Sequence, residues 1–304
     1  VASVCAQKHD YRFGKVSEEE LRMEVYEPDP EAAAVILYEE NNLHYNISPD
    51  LKRILDYQVR IKILKPEGTD QADVSLPYII QKENYSGLDV FAYNLVDGKI
   101  VKTPLKKQYV FREQVSDDKR LLKFSVPEVR AGTVIEYRYQ FNSDYISHIP
   151  SIPFQHDIPV AHLKMTALIP EFFRFNINMK GFVRIQVDED SSVNTLPGTT
   201  YSYNMRELRA QADTIPALKK EPDIWCLNDF RTMIEFELSQ IAFPGQVPQN
   251  FTTSWKDVNY ALSQSSFSTH CRMGNPFKAE VAELKARQSD RKGLAHDILR
   301  LVQS

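Results

Sequence analysis

The chain has 304 residues, of which 42% are apolar, 11% aromatic and 26% charged, with a formal net charge of −4. That balance belongs to a packed globular protein, and the length suits about two domains at roughly 150 residues each. No basic excess is present to release counterions, and no apolar run approaches the roughly 18–20 residues of a membrane helix. Nucleic-acid binding by bulk charge and a transmembrane helix are therefore not expected.

The first residues, Val1-Ala2-Ser3-Val4-Cys5-Ala6-Gln7, are small and apolar and then turn polar. Val4 and Ala6 occupy the two small-residue positions of a signal-peptidase site, so 1–12 read as the remnant of an export signal and a tail. An ordinary frayed terminus is the alternative. Cleavage after Ala6 leaves Cys226 and Cys271, which are compatible with one disulfide or with two unpaired buried thiols.

Ser17-Glu18-Glu19-Glu20 has the capping-box pattern and predicts a short helix. Ala32 to Tyr38 reads as a buried strand or a second short helix. From Leu55 the period is 2: Tyr57, Val59, Ile61 and Ile63 alternate with Gln58, Arg60 and Lys62, which predicts a strand with one apolar face. Lys65-Pro66-Glu67-Gly68 ends it with turn chemistry. Val90 to Val96, Asp97-Gly98 and Lys99 to Thr103 form a hairpin signal, because glycine accepts the positive φ of a type I′ turn. Leu121 to Val126 and Val134 to Phe141 follow, the second with Ile135, Tyr137, Tyr139 and Phe141 on one side. Three more alternating runs hold Ala161 to Ala167, Phe173 to Met179 and Val183 to Val187. Residues 198–203 and Ile234 to Leu238 complete the set. The spacing predicts a mostly β protein, a large antiparallel β-sandwich in one body or two lobes.

The character changes near Pro244. A linker gives way to three short amphipathic helices, starting at Ser254, at Asn275-Pro276 and at Ser289-Asp290. They are too short for a core of their own, so they are expected to pack on the β domain or to begin something longer. Unless they cover it, an apolar stripe is expected near Trp255, Val258, Ile298 and Leu301. The domains are thus 1–12 (signal remnant and tail), 13–243 (β-sandwich) and 244–304 (linker and helices). There is no internal repeat and no low-complexity segment.

Chemistry-bearing patterns are sparse. Cys271 sits in Thr269-His270-Cys271-Arg272, where neighbouring cations favour a thiolate. Residues adjacent in sequence seldom have the geometry of nucleophile and base, so it reads as structural. Cys226, after Trp225, reads as buried. His148, His156 and His162, with Asp144 and Asp157, match no compact zinc spacing, and Pro150, Pro153 and Pro159 interrupt their register. Asp117-Asp118 and Asp188-Glu189-Asp190 read as solvated hairpin tips. The ten glycines form neither GxGxxG nor a P-loop. Most Tyr and Phe read as core, with Trp225 and Trp255 left for packing between domains or for stacking on a ligand. No catalytic, cofactor-binding or metal residue is expected, no cofactor, and no particular ligand-binding residue.

Several ordered blocks resemble a known family. Phe13-Gly14-Lys15-Val16-Ser17, Ala34 to Tyr38, Tyr57 to Leu64, Lys123 to Pro127, Gly132 to Tyr137, Phe154-Gln155 and Ile169-Pro170-Glu171 are similar to domain-of-unknown-function family 3857, common in exported Bacteroidetes proteins. The resemblance covers roughly 13–240. In that family the domain usually precedes a transglutaminase-like domain, a papain-related fold with a Cys-His-Asp constellation. Ser254 to Val258 and Ala295 to Gln303 resemble the lead-in helices of that domain, whose catalytic part lies outside the resemblance. The resemblance implies an exported, periplasmic or cell-surface accessory domain of a peptidase module, not itself an enzyme. The alternatives are a stand-alone carbohydrate- or peptide-binding sandwich and part of a longer cysteine-dependent enzyme. The implied partners are a transglutaminase-like domain or a peptide or glycan ligand.

Overall fold

The computed structural model describes residues 11–47, 49–196, 198–220, 222–251, 254–264, 277–287 and 290–303. The chain divides into two compact units, Val1–Asn250 and Phe251–Ser304. In chain order the first holds helix α1 (Glu18–Arg22) and strands β1 (Ala34–Asn46), β2 (Lys52–Ile63), β3 (Asp73–Ile79), β4 (Glu83–Val96) and β5 (Lys99–Pro104). It continues with β6 (Val110–Gln114), β7 (Lys119–Ser125), β8 (Val134–Ser143), β9 (Ile152–Pro153) and β10 (Val160–Pro170). The last are β11 (Phe173–Lys180), β12 (Gln186–Thr195), β13 (Ser202–Ile215), β14 (Met233–Ile241) and β15 (Gln249–Asn250).

Eight of these strands form one long sheet in the order β12-β13-β10-β1-β2-β8-β4-β5. Two small sheets accompany it, β3-β7-β6 and β11-β14-β15, with β9 paired to β14. One buried apolar cluster joins all three sheets: Phe124 and Val126 from the β7 side, Val59, Ile61, Ile135, Leu163 and Met165 from the long sheet, and Phe175, Ile234 and Phe236 from β11 and β14. The architecture is therefore a mostly β sandwich of two lobes that share one long sheet. Alternation along each strand places this apolar face inward. One pair departs from the antiparallel rule, because β1 runs parallel to β10.

The capping box forms as expected: Ser17 Oγ accepts from the Glu20 amide (3.1 Å) and the Glu20 carboxylate accepts from the Ser17 amide (2.6 Å). The Asp97-Gly98 turn has positive φ at both residues, +50° and +73°. Of Ala32 to Tyr38, the part from Ala34 resolves as strand, which extends to Asn46. The Pro66 turn continues as a 3₁₀ helix, Pro66–Ala72. Val183 and Ile185 fall before β12, which starts at Gln186.

The strand reading of β2 needs one correction. Arg60 and Lys62, expected in water, are as buried as Val59 and Ile61. The second face of the long sheet is covered here by residues 11–23, which the tail boundary at 12 leaves partly outside. Tyr11 stacks on Tyr38 (4.5 Å between ring centroids), and Arg60 donates to the Arg12 carbonyl (2.9 Å). Arg60 also bridges Glu136 (2.6 Å) and Glu20 (2.8 Å), and Glu136 accepts from Tyr93 Oη (3.0 Å) and the Gly14 amide (2.7 Å). Lys62 Nζ donates to the carbonyls of Leu21 (2.6 Å) and Gly132 (2.7 Å).

Asp188 to Asp190 are corrected too: they lie within β12, not at a hairpin tip. β12 is an edge strand exposed along most of its length, so three carboxylates are tolerated, and Arg206 and Arg209 of β13 pair with Glu189 and Asp190. Asp117 and Asp118 do sit at a tip, between β6 and β7.

The second unit holds helices α2 (Trp255–Gln264), α3 (Lys278–Arg287) and α4 (Arg291–Gln303). The last is capped by Asp290, whose carboxylate accepts from the Gly293 amide (2.7 Å). Neither α3 nor α4 has a buried residue. Trp255 is 89% exposed, and Val258, Ile298 and Leu301 are half-buried. The Asn275-Pro276 helix start and Cys271 lie outside the described residues.

Candidate functional site

The half of the second face not covered by residues 11–23 is polar and concave. Four adjacent strands, β1, β2, β8 and β4, hold two rungs across it. Asn42, Asp56, Gln140 and Ser86 are register partners in one, and Glu40, Gln58, Arg138 and Asp89 in the other. These eight side chains line a cleft of about 470 Å³, within the usual size range of ligand sites. Gln140 Nε2 donates to Asp56 (2.9 Å), and Arg138 donates twice to one oxygen of Asp89 (2.7 and 2.9 Å). The side chains of Asn42 and Gln58 bond to no other side chain among the described residues, so their amides face the cleft with open donors and acceptors. A β-bulge shapes one wall: Ser86 pairs with Gln140 and Asp89 with Arg138, which leaves Gly87 and Leu88 opposite one residue. Gly87 has φ +61°, which a side chain there would strain.

A second cavity, about 180 Å³, opens on the inner face where the two small sheets leave a seam. Tyr57, Tyr137, His156 and Arg231 line it. Glu39, 1% exposed, lies beneath: Asn41 donates to one carboxylate oxygen (3.0 Å), and His156 Nε2 stands 2.7 Å from the other. Arg231 reaches Asp157 (3.1 Å) and the Gln155 carbonyl (2.6 Å) at the mouth.

Burial opposes charge on His156, but the Glu39 carboxylate outweighs it and raises the imidazole above its ordinary 6.5. The stabilisation is complete below pH 6.5 and is lost as pH rises through the higher native value. The His156 ring resonances are therefore expected to titrate above 6.5, with urea stability falling over the same range and the slope absent in His156→Gln. A midpoint at or below 6.5 would mean that the pair is neutral.

The three histidines singled out by their closeness in sequence lie apart in the fold. His156 faces Glu39 on the inner side of the sheet, and His162 pairs with Asp213 on the outer side. His148 is exposed. Among the described residues no three histidine, cysteine or acidic side chains gather to hold an ion. Cys226 is corrected from buried to exposed: it is a free thiol in the surface segment between β13 and β14, beside a fully exposed Trp225. Sequence reasoning missed the cleft residues because each one looks like an ordinary outward-facing strand position. The only signal was the polar set Gln58, Arg138 and Gln140, and register alone brings it together.

Residues 50–218, more than half of the chain, match the family model described as a Domain of Unknown Function with a solved structure (DUF3857). The chain belongs to that family. The match runs from the start of β2 to just past β13, so it contains three of the four strands of the cleft and leaves out β1. No curated protein matches this DUF3857 chain. Its fold is similar to the crystal structure of a candidate protease from Parabacteroides distasonis, at 12% identity and a TM-score of 0.55 over 84% of this chain. The DUF3857 chain spans 50% of that protein's length. Among its described residues no helix is long and apolar enough to cross a membrane.

Proposed function

We propose that this DUF3857 domain is an exported, non-catalytic accessory module that works beside a transglutaminase-like peptidase domain, in the periplasm or on the cell surface. The observation that carries the reading is the fold match to half of a longer candidate protease, taken with the likeness of residues 254–258 and 295–303 to the lead-in helices of a transglutaminase-like domain. Exposed apolar side chains suit a contact with such a partner. Phe182 is 89% and Phe230 44% exposed, and Val183 donates to Thr232, which brings both to one end of the small β11-β14 sheet. The cleft favours a second reading, capture of a hydroxyl- and amide-rich ligand, a glycan or a peptide, because its eight polar groups on rigid strands suit such bonding.

The test compares the 304-residue chain with the longest product of its gene on amide substrates. Amide hydrolysis or transamidation that iodoacetamide abolishes is expected only in a product that carries the peptidase domain. Thiol-dependent turnover by the 304-residue chain would overturn the proposal. Millimolar or tighter glycan binding that Gln58→Ala and Gln140→Ala weaken would put the binding reading first.

A further inference from the structure

The lobe built from β3, β7 and β6 is open along one side, where the edge of its small sheet faces the edge of the long one. A pocket of about 290 Å³ enters there. Leu88 and Val90 of β4, Leu105, Val110 of β6 and Leu122 of β7 form its apolar wall. Val90 and Leu122 are 4% and 3% exposed, so the floor reaches the core, whereas Leu88, Leu105 and Val110 are half-open.

Tyr85, Ser86 and Gly87 add to the lining from β4, and two cations stand in it, Lys107 and Arg112, both exposed. Neither has a carboxylate partner among the described residues, although the chain as a whole carries a net charge of −4. Arg112 is the register partner of Leu122 and so stands on the face of β6 that looks into the sandwich, where alternation calls for an apolar residue. The β4 bulge sets the opposite wall, since Gly87 and Leu88 are the residues it inserts.

We propose that this pocket binds an alkyl monocarboxylate, with the chain against the leucine and valine wall and the carboxylate at Lys107 and Arg112. An apolar cavity ending in unpaired cations complements an anionic amphiphile; a neutral one leaves the cations unmatched and a cationic one is repelled. The inference is independent of the peptidase reading.

The experiment is calorimetric titration of the full chain at low salt with octanoate, decanoate, decanol and decyltrimethylammonium, each below its micelle concentration. Decanoate is expected to fill one site, roughly tenfold or more tighter than octanoate for its two added methylenes. Decanol should bind more weakly than decanoate and the ammonium compound not at all. Lys107→Glu with Arg112→Glu should weaken decanoate roughly tenfold or more and open the site to the ammonium compound. Val110→Trp, which fills the pocket, should remove binding. Because β6 is short, the charge reversals on exposed residues keep the test valid if Val110→Trp misfolds. The proposal fails if decanoate does not saturate, if decanol equals it, or if the double reversal changes nothing; Arg112 would then only guard an edge strand against pairing.

Discussion

Replacing Glu136 by alanine is expected to destabilise the first unit by about 3–5 kcal/mol and to lower its thermal midpoint by roughly 10 °C. Arg60 and Glu136 have side chains only 5% and 3% exposed, so solvent screens little of their attraction. Removing the carboxylate leaves the Arg60 guanidinium buried with Glu20 as its remaining carboxylate and the Arg12 carbonyl as its other acceptor, and strips the Gly14 amide and Tyr93 hydroxyl of their acceptor. The loss has a local consequence. Residues 11–23 are held on the sheet by these contacts and by Lys62, so they should become the first site of limited proteolysis. Glu136→Gln keeps an acceptor but not the charge, and should fall between wild type and alanine. A loss below about 1 kcal/mol for Glu136→Ala, with residues 11–23 still protected, would show that the network is not what fastens the segment.

The second large effect is alkaline unfolding. Burial keeps Tyr45, Tyr57, Tyr85, Tyr93, Tyr137 and Tyr139 protonated above the ordinary phenol value of 10.0, and raises Tyr11 to about 12. Glu39 adds to this at Tyr57 and Tyr137. Each contributes stability that is fully present below pH 10 and is lost as pH rises towards the native value. Above pH 10 the slope is on the order of 1.4 kcal/mol per pH unit for each such tyrosine. Several together exhaust a typical stability of about 5–15 kcal/mol within one or two pH units. Lys62 acts the other way. Burial lowers its amine from 10.5 to about 8, so between those values the unfolded chain holds a proton that the native one lacks, and stability rises with pH. Urea midpoints should therefore climb slightly above pH 8 and collapse above pH 10, with tyrosinate absorbance appearing in the same cooperative step. Gradual ionisation before unfolding would contradict the burial of these rings.

The strands with clean alternation were legible in the sequence. β8, β10, β11 and the β4-β5 hairpin follow from apolar period and turn chemistry, as does the Ser17 capping box, because local backbone and side-chain physics decides them. Other elements were not. β6 and most of β13 mix charged residues into both faces, and β3 carries Pro77 within it, so only pairing with a neighbour makes them strands. The Cys226 segment carries an apolar Trp225 that composition alone would bury, yet it lies on the surface.

From the sequence alone come a mostly β chain with a helical C-terminal end, the family resemblance that the match over residues 50–218 bears out, and the absence of familiar cofactor motifs. These depend on local periodicity and on ordered blocks, which survive without coordinates. Tertiary structure decided the sharing of one long sheet by two lobes, the burial of Arg60 and Lys62 beneath residues 11–23, and the polar cleft. Each depends on register between strands far apart in the chain: Arg60 meets Glu136 across 76 residues, and Gln140 meets Asp56 across 84. Local pattern tells which side of its own strand a residue faces; only the paired sheet determines what it faces there.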